Sequence, residues 1–461
     1  MNLESIKYCL DINPKTGMVL AVNHHAVARW LLDQIPLATI IETKEMLCYF
    51  HGKYQPNGKE VAHRFLVSAL SEYTKETGQT CYTKHLFDEV ISIVRGLTYV
   101  HMEKFDNNLD IINVKNGLLN WRTMTLEPHR PDYYSRIQLP VEYNPDNDCP
   151  NIRSMFNTIL KPEDKAKALE FIAYCLYRAM PIQKAFILLG PGSTGKSHFI
   201  DVVISLMGNE NASSVSMHDL EKDRFATADL HNKLLNTFGD MEQTELPNVN
   251  ILKMITSNKD VIRAQKKNEH AFNFVNFAKI LFATNKLPKV RDDTSGFYRR
   301  VEILIFEHVF KQSEYDATLI NKVTTPTELS GLLNMVLPYL EPLLSRNEFS
   351  NSFNSDTAAI KYKVASDPIR MFLETHIKEV AESAVSKEAV YAEYCKFCDA
   401  NGVSPIHPNW FGRMFKKLVS WNRDGIKDFG GDRRTCWLNT RLILMSEIEA
   451  QKKKEALQGV N

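Results

Sequence analysis

The sequence predicts an α/β protein in three parts: a phosphate-loop core, an α/β N-terminal domain and a C-terminal winged helix-turn-helix domain. Three observations predict it. A glycine loop stands between an apolar strand and an amphipathic helix within 186–208. Two more apolar strands follow, each ending in polar residues. Past residue 366 the pattern changes to short helices with a strand-like end.

The loop is the most specific of these. Phe186 to Leu189 is a short apolar run of the kind that forms a buried parallel strand, and Gly190-Pro191-Gly192-Ser193-Thr194-Gly195-Lys196-Ser197 has the phosphate-loop spacing. The glycines allow positive φ and let backbone N–H groups approach phosphates without a Cβ in the way. Lys196 can place a charge on the β- and γ-phosphates, and the Ser197 hydroxyl can ligate Mg²⁺. Ile200, Val203, Ile204 and Met207 then recur at helical spacing, and Gly208 stands where a C-cap glycine belongs.

Bulk properties set limits on the rest. With 461 residues, 44% hydrophobic and 24% charged, the chain suits about three soluble domains. The net charge is only +1, so a nucleic-acid surface must be a local patch. No apolar run approaches the ~20 residues needed to span a bilayer, and no signal peptide is evident. The eight scattered cysteines suit reduced thiols, so a cytoplasmic location is expected.

In chain order, residues 1–148 read as an accessory α/β domain, with helical patterning at Ala26 to Leu32 and Val61 to Tyr73 and short strands at Ile111 to Val114 and Ile137 to Val141. Adjacent His24 and His25 do not face one site on a helix, so no metal is expected there. Residues 149–180 form a helical collar, 181–348 the core, 349–365 a linker, 366–445 the winged helix and 446–461 a polar tail. Within the winged helix, helices are expected at Ser386 to Ala400 and Asn409 to Val419, with the strands of the wing at Thr435 to Leu444. Arg413, Lys416 and Lys417 fall on one side of the second helix near Trp410, and Arg433 and Arg434 would sit in the wing; DNA and a protein partner suit that surface equally. Cys395 and Cys398 lack a second such pair and read as core, not zinc ligands.

A phosphate loop needs an acidic site for Mg²⁺ and for the attacking water. Leu234 to Phe238 leads to Asp240 and Glu242, which share a face because strand side chains alternate; Asp240 is assigned to the metal and Glu242 to water. Lys279 to Thr284 leads to Asn285, a neutral amide able to bond the γ-phosphate or the water. Arg299 and Arg300 follow in Gly-Phe-Tyr-Arg-Arg, and a guanidinium can neutralise charge on a transferring phosphoryl group, often across a subunit boundary.

This ordered set resembles the superfamily 3 helicases of phages, plasmids and DNA viruses, specifically the phage/plasmid primase–helicase family. The similarity extends to Asn113–Trp121 and Pro131–Tyr143 on one side and to Tyr362 and Asp367–Leu373 on the other, covering nearly the whole chain. It implies an AAA+ fold, a homohexameric ring and ATP- and Mg²⁺-driven translocation on single-stranded or forked DNA. By the same resemblance Lys196 and Ser197 hold nucleotide, Asn285 is the polar sensor, and the arginine finger is Arg299 or Arg300, with Arg299 favoured. A DNA-gripping β-hairpin would fall at 260–272, anchored by Val261, Ile262, Phe272 and Phe274, with Lys266, Lys267 and His270 at its tip. Many members carry an upstream primase or polymerase module, for which this sequence has no room, so a helicase working with a separate primase or polymerase is expected. Two rivals are an ATP-switched initiator or loader that melts an origin without processive unwinding, and a DNA-binding module that has lost turnover.

Overall fold

The computed structural model describes residues 3–239, 250–267, 271–288, 290, 295–352, 355–401, 403–421, 423–448 and 450. The fold is mixed α/β and divides into two compact units, one of Met1–Met241, Asn250–Ala283 and Glu302–Ser352, the other of Glu242–Val249, Thr284–Val301 and Phe353–Asn461.

After a 3₁₀ helix, Leu3–Cys9, and a two-stranded antiparallel sheet of Leu10–Ile12 and Val19–Val22, the first unit has three helices, His24–Gln34, Gly58–Leu70 and Lys84–Thr98. Asn23 and Thr83 cap the first and third by accepting from the N–H groups of Ala26 and Leu86, which satisfies amides that have no partner inside a helix. Val27, Leu31, Leu66, Leu70, Val90 and Val94 close the core between them. A four-stranded and a three-stranded sheet complete this region. The strand expected at Ile137 to Val141 is not one: it is irregular chain. Leu139 N–H and Lys115 N–H bond the Asn113 and Val141 carbonyls, but Pro140 has no N–H to extend the ladder.

Helices Pro150–Ile159 and Lys165–Cys175 lead into the central sheet. Glu328 caps the first from a distant helix, accepting from the N–H groups of Asn151 and Ile152 at 3.1 and 3.0 Å. The second carries Lys167, which is buried and donates to Glu302 at 3.1 Å; Lys184 reaches the same carboxylate at 2.6 Å and Ser352 at 2.7 Å. A charge enters a protein interior only with such partners, and these fix the strand bearing Glu302 to the collar. Lys279 is buried as well, donating to the carbonyls of Tyr177, Ala179 and Phe277.

The central sheet comprises β1 (Ala185–Leu189), β2 (Ala212–Ser213), β3 (Leu235–Phe238), β6 (Lys279–Thr284) and β7 (Val301–Ile305), in the order β2-β3-β6-β1-β7. Between β3 and β6 the chain forms a separate hairpin, β4 (Val261–Ala264) with β5 (Phe272–Val275). β3 runs parallel with β2 and β6, and the register Phe238↔Phe282 brings the C-terminal ends of β3 and β6 level. Helix α1 (Lys196–Met207) follows β1 and ends at Gly208, whose φ of 89° suits a glycine and whose N–H bonds the Ile204 carbonyl.

In the second unit, helices α2 (Pro368–His376), α3 (Lys387–Ala400) and α4 (Pro408–Leu418) pack around Phe372, Tyr394, Phe397, Phe411, Phe415 and Trp437. Asp367 caps α2 and Pro368 occupies its first turn. A three-stranded antiparallel sheet has the order β8 (Ile377–Ser386), β10 (Arg433–Leu442), β9 (Arg423–Asp428). The expected wing at Thr435 to Leu444 is thus one strand, beginning at Arg433. Its partner β9 is almost wholly exposed, so no buried alternation marked it in the sequence. Cys398 and Cys436 are buried, and among the described residues no cluster could hold a metal ion.

Candidate nucleotide site and nucleic-acid surfaces

The loop after β1 is shaped by its backbone. A Cβ on Gly190 would collide with the carbonyl oxygen of Phe306, because Phe306 N–H bonds the Leu189 carbonyl at 2.8 Å and draws the two chains together. Gly190 is therefore required by close approach. Positive φ occurs at Gly195 (89°), as the glycines allow, and also at Ser193 (59°). A Cβ on Gly195 would meet Ile159 Cγ2 at 2.7 Å, whereas Gly192 has open space on that side. Phe310 N–H bonds the Ser193 carbonyl at 2.9 Å and Thr194 donates to the Pro191 carbonyl at 3.0 Å.

Lys196, the first residue of α1, is buried and donates to the carbonyls of Gly190 at 2.6 Å and Pro191 at 2.7 Å. Its ammonium lies across the mouth of the loop. Pro191, Gly192, Ser193 and Ser197 are exposed, so the outer side of the turn and the first hydroxyl of the helix are open to a ligand. This arrangement suits a polyphosphate: a helix N-terminus, a turn whose glycine admits no side chain, and one cation.

Asp240 and Glu242 lie outside the described residues, beyond Gly239 at the end of β3. Asn285 directly follows β6 and is exposed. Arg299 and Arg300 belong to the second unit, in the turn after a short helix, Ser295–Tyr298. Phe297 and Tyr298 are buried against Tyr362, with ring centroids 5.2 and 5.6 Å away, and the Tyr362 hydroxyl donates to the Pro288 carbonyl at 2.9 Å. Arg300 folds back to donate to the Gly296 carbonyl at 2.9 Å, while Arg299 is exposed. The aromatic pair anchors the segment that carries Arg299. Tyr362 as the anchor was not apparent from spacing, since it lies far along the chain.

The hairpin forms where expected, with Ile262 opposite Phe274. Val261 is not an anchor: it is 60% exposed and pairs with Val275, 42% exposed, on the outer face, because strand neighbours alternate sides. The inner face closes on His231, whose ring lies 4.8 Å from Phe272 and 5.2 Å from Phe274. Burial there pushes its pKa down to about 3, with Arg136 and Lys266 adding to the effect. Lys266 and Lys267 are exposed at the tip and line a cavity of about 320 Å³ together with Asp219, Asp223 and Asp229. His270 lies outside the described residues.

On α4, Trp410 is 60% exposed, with the Arg413 guanidinium 5.6 Å from its ring. Arg413, Lys416 and Lys417 are exposed. Lys416 is paired with Asp424, as is Lys387 at 2.9 Å, and Arg434 is paired with Asp432 at 2.8 Å.

Comparison with known proteins gives matches along most of the chain. Residues 24–161 match the family profile described as "D5 N terminal like", residues 188–300 match a family of unknown function, DUF5906, and residues 367–420 match the "RFX DNA-binding domain". "Putative primase C962R" of African swine fever virus (isolate Warthog/Namibia/Wart80/1980) is 20% identical over 391 residues, spanning 76% of this chain and 40% of the relative. "Putative helicase 184R" of Invertebrate iridescent virus 6 is 22% identical over 233 residues, 47% of this chain and 24% of the relative. The chain thus spans well under half the length of these curated relatives. The apo structure of the NrS-1 C terminal region (305-718) superposes with a TM-score of 0.50 at 12% identity, covering 90% of this chain and 99% of that one. This is a likeness of fold. Among the described residues no helix is long and apolar enough to cross a membrane.

Proposed function

We propose that this chain is an ATP-dependent replicative DNA helicase of the phage, plasmid or virus type, with an AAA+ core and a C-terminal winged helix. The observation that carries the reading is the loop at 190–197: Gly190 approaches Phe306 too closely for any side chain, and Lys196 stands at its mouth. The sheet order β2-β3-β6-β1-β7, with the strand preceding Asn285 set between the loop strand and the strand preceding Asp240, supports the AAA+ assignment. The resemblance to viral proteins named as primase and helicase supports a role in DNA replication.

Among the described residues, the loop at 190–197 with Lys196 and the exposed Ser197 suits the phosphates of Mg²⁺–ATP. When bound, Mg²⁺–ATP supplies the transferable γ-phosphoryl group. Lys196 would exchange its bonds to the Gly190 and Pro191 carbonyls for phosphate oxygens, the N–H groups of 192–197 would orient the β-phosphate, and Ser197 with Asp240 would hold the metal. Glu242 would orient the water, Asn285 would sense the γ-phosphate, and Arg299 would reach the phosphates of a neighbouring copy in a ring. Lys266 and Lys267 track phosphates of the strand in the channel without reading bases.

A second reading, an initiator that melts an origin, is favoured by the match of residues 367–420 to a DNA-binding domain. Unwinding of a forked duplex separates the two. The helicase reading expects Mg²⁺- and ATP-dependent unwinding that Lys196→Ala abolishes. Origin melting without fork unwinding would favour the initiator, and unwinding by the Lys196→Ala variant would remove the mechanism.

A further inference from the structure

Helices α3 and α4 leave a groove of about 570 Å³ between them in the second unit. Its walls include Ala392 and Tyr391 on α3 and Gly412 and Arg413 on α4, with Phe411 and Trp437 beneath. Gly412 is the informative residue. It lies inside an 11-residue helix, where glycine is entropically costly. A Cβ built on it meets nothing within 4 Å. No packing within this unit requires that glycine, and what it does is keep one wall of the groove low.

The charges around the groove have a net sign. Lys387 and Lys416 share Asp424, and Glu388 faces Arg434 at 3.8 Å. Arg413 has no carboxylate partner among the described residues, and neither does Lys417 just beyond it. A basic groove of about 570 Å³ has room for one nucleotide and cannot enclose a base-paired duplex, which would instead take α4 into its own major groove. Trp410, exposed beside it, offers a face on which the next base can stack.

We propose that this groove is a single-stranded DNA site that takes one unpaired nucleotide between α3 and α4, with its phosphates on Arg413 and Lys417. The site is specific for unpaired DNA and independent of base identity. It deepens the helicase reading by giving the C-terminal unit a hold on the separated strand.

The test uses the full chain and two variants that fill the groove from opposite walls, Gly412→Leu and Ala392→Trp. Binding of fluorescent oligothymidylate and of a blunt duplex of equal length is measured by anisotropy, with melting temperature as the check on folding. The expected result is at least a ten-fold loss of oligothymidylate affinity in a folded variant from either wall, with duplex affinity changed by less than two-fold. Unchanged oligothymidylate binding in a folded variant overturns the proposal and leaves the groove to another occupant, such as an acidic peptide. Equal losses on both DNAs overturn the single-strand assignment. Should the wild-type chain fail to bind ATP while the selective loss is seen, the ATPase reading falls and the groove stands.

Discussion

The ammonium of Lys196 lies 2.6 Å from the carbonyl oxygen of Gly190, so the cation at the start of the helix closes onto the residue that opens the loop. Both ends of the turn are thereby fixed before any phosphate arrives. Gly190→Ala would drive a methyl into the Phe306 carbonyl, whereas Gly192→Ala has room in the protein itself. We predict that Gly190→Ala lowers the unfolding free energy by about 1–3 kcal/mol, the usual cost of overpacking. Gly192→Ala should leave stability within about 0.5 kcal/mol but weaken ATP-analogue binding, because its Cβ would intrude on the phosphates. Denaturant titration and analogue binding measure the two effects.

Glu302 is the shared partner of a buried lysine, Lys167, and a half-buried one, Lys184. Both hold its carboxyl below the usual range despite its burial. Glu302→Gln removes the carboxylate that both ammoniums share, and breaking a buried pair in this way costs about 3–5 kcal/mol. Chemical denaturation should show a loss of that order.

His231 supplies a pH dependence. Its folded pKa is about 3, while in the unfolded chain it titrates near its ordinary value of 6.5. Between those values the unfolded state binds the proton and the folded state does not, so this residue's contribution to stability falls as the pH drops from about 6.5 toward 3. Each pKa unit corresponds to about 1.4 kcal/mol. His231→Phe, which keeps the ring between Phe272 and Phe274, should flatten this part of the stability–pH curve. An unchanged slope would refute the assignment.

The hairpin tip can be examined by salt. If Lys266 and Lys267 each neutralise one phosphate of single-stranded DNA, changing both to Ala should reduce the slope of log affinity against log salt by about 1.4, at ~0.7 per contact. A changed affinity with an unchanged slope would place the contacts elsewhere.

Much of this was legible in the sequence because its patterns are local. Strand β1, the loop, α1 and Gly208 follow from spacing within 23 contiguous residues, 186–208. Helices α3 and α4 follow from helical patterning. What could not be read depends on contacts between distant segments. Lys167 and Lys184 look like surface lysines until Glu302, itself held by the Ser352 hydroxyl, is brought to them. Tyr362 anchors Phe297 from a separate helix. Val261 reads as buried from its apolar character, and only the register with Val275 puts it on the outer face. Gly412 gave no sign in one dimension that the space above it is empty.

The most direct measurement is steady-state ATP hydrolysis by the full chain and its Lys196→Ala variant, each with Mg²⁺ and increasing single-stranded DNA. The wild type should hydrolyse ATP and be stimulated by DNA, and the variant should lose at least a hundred-fold in rate, about 2.7 kcal/mol of transition-state stabilisation. Hydrolysis undiminished in the variant, or a wild-type chain that hydrolyses nothing with or without DNA, would contradict the account.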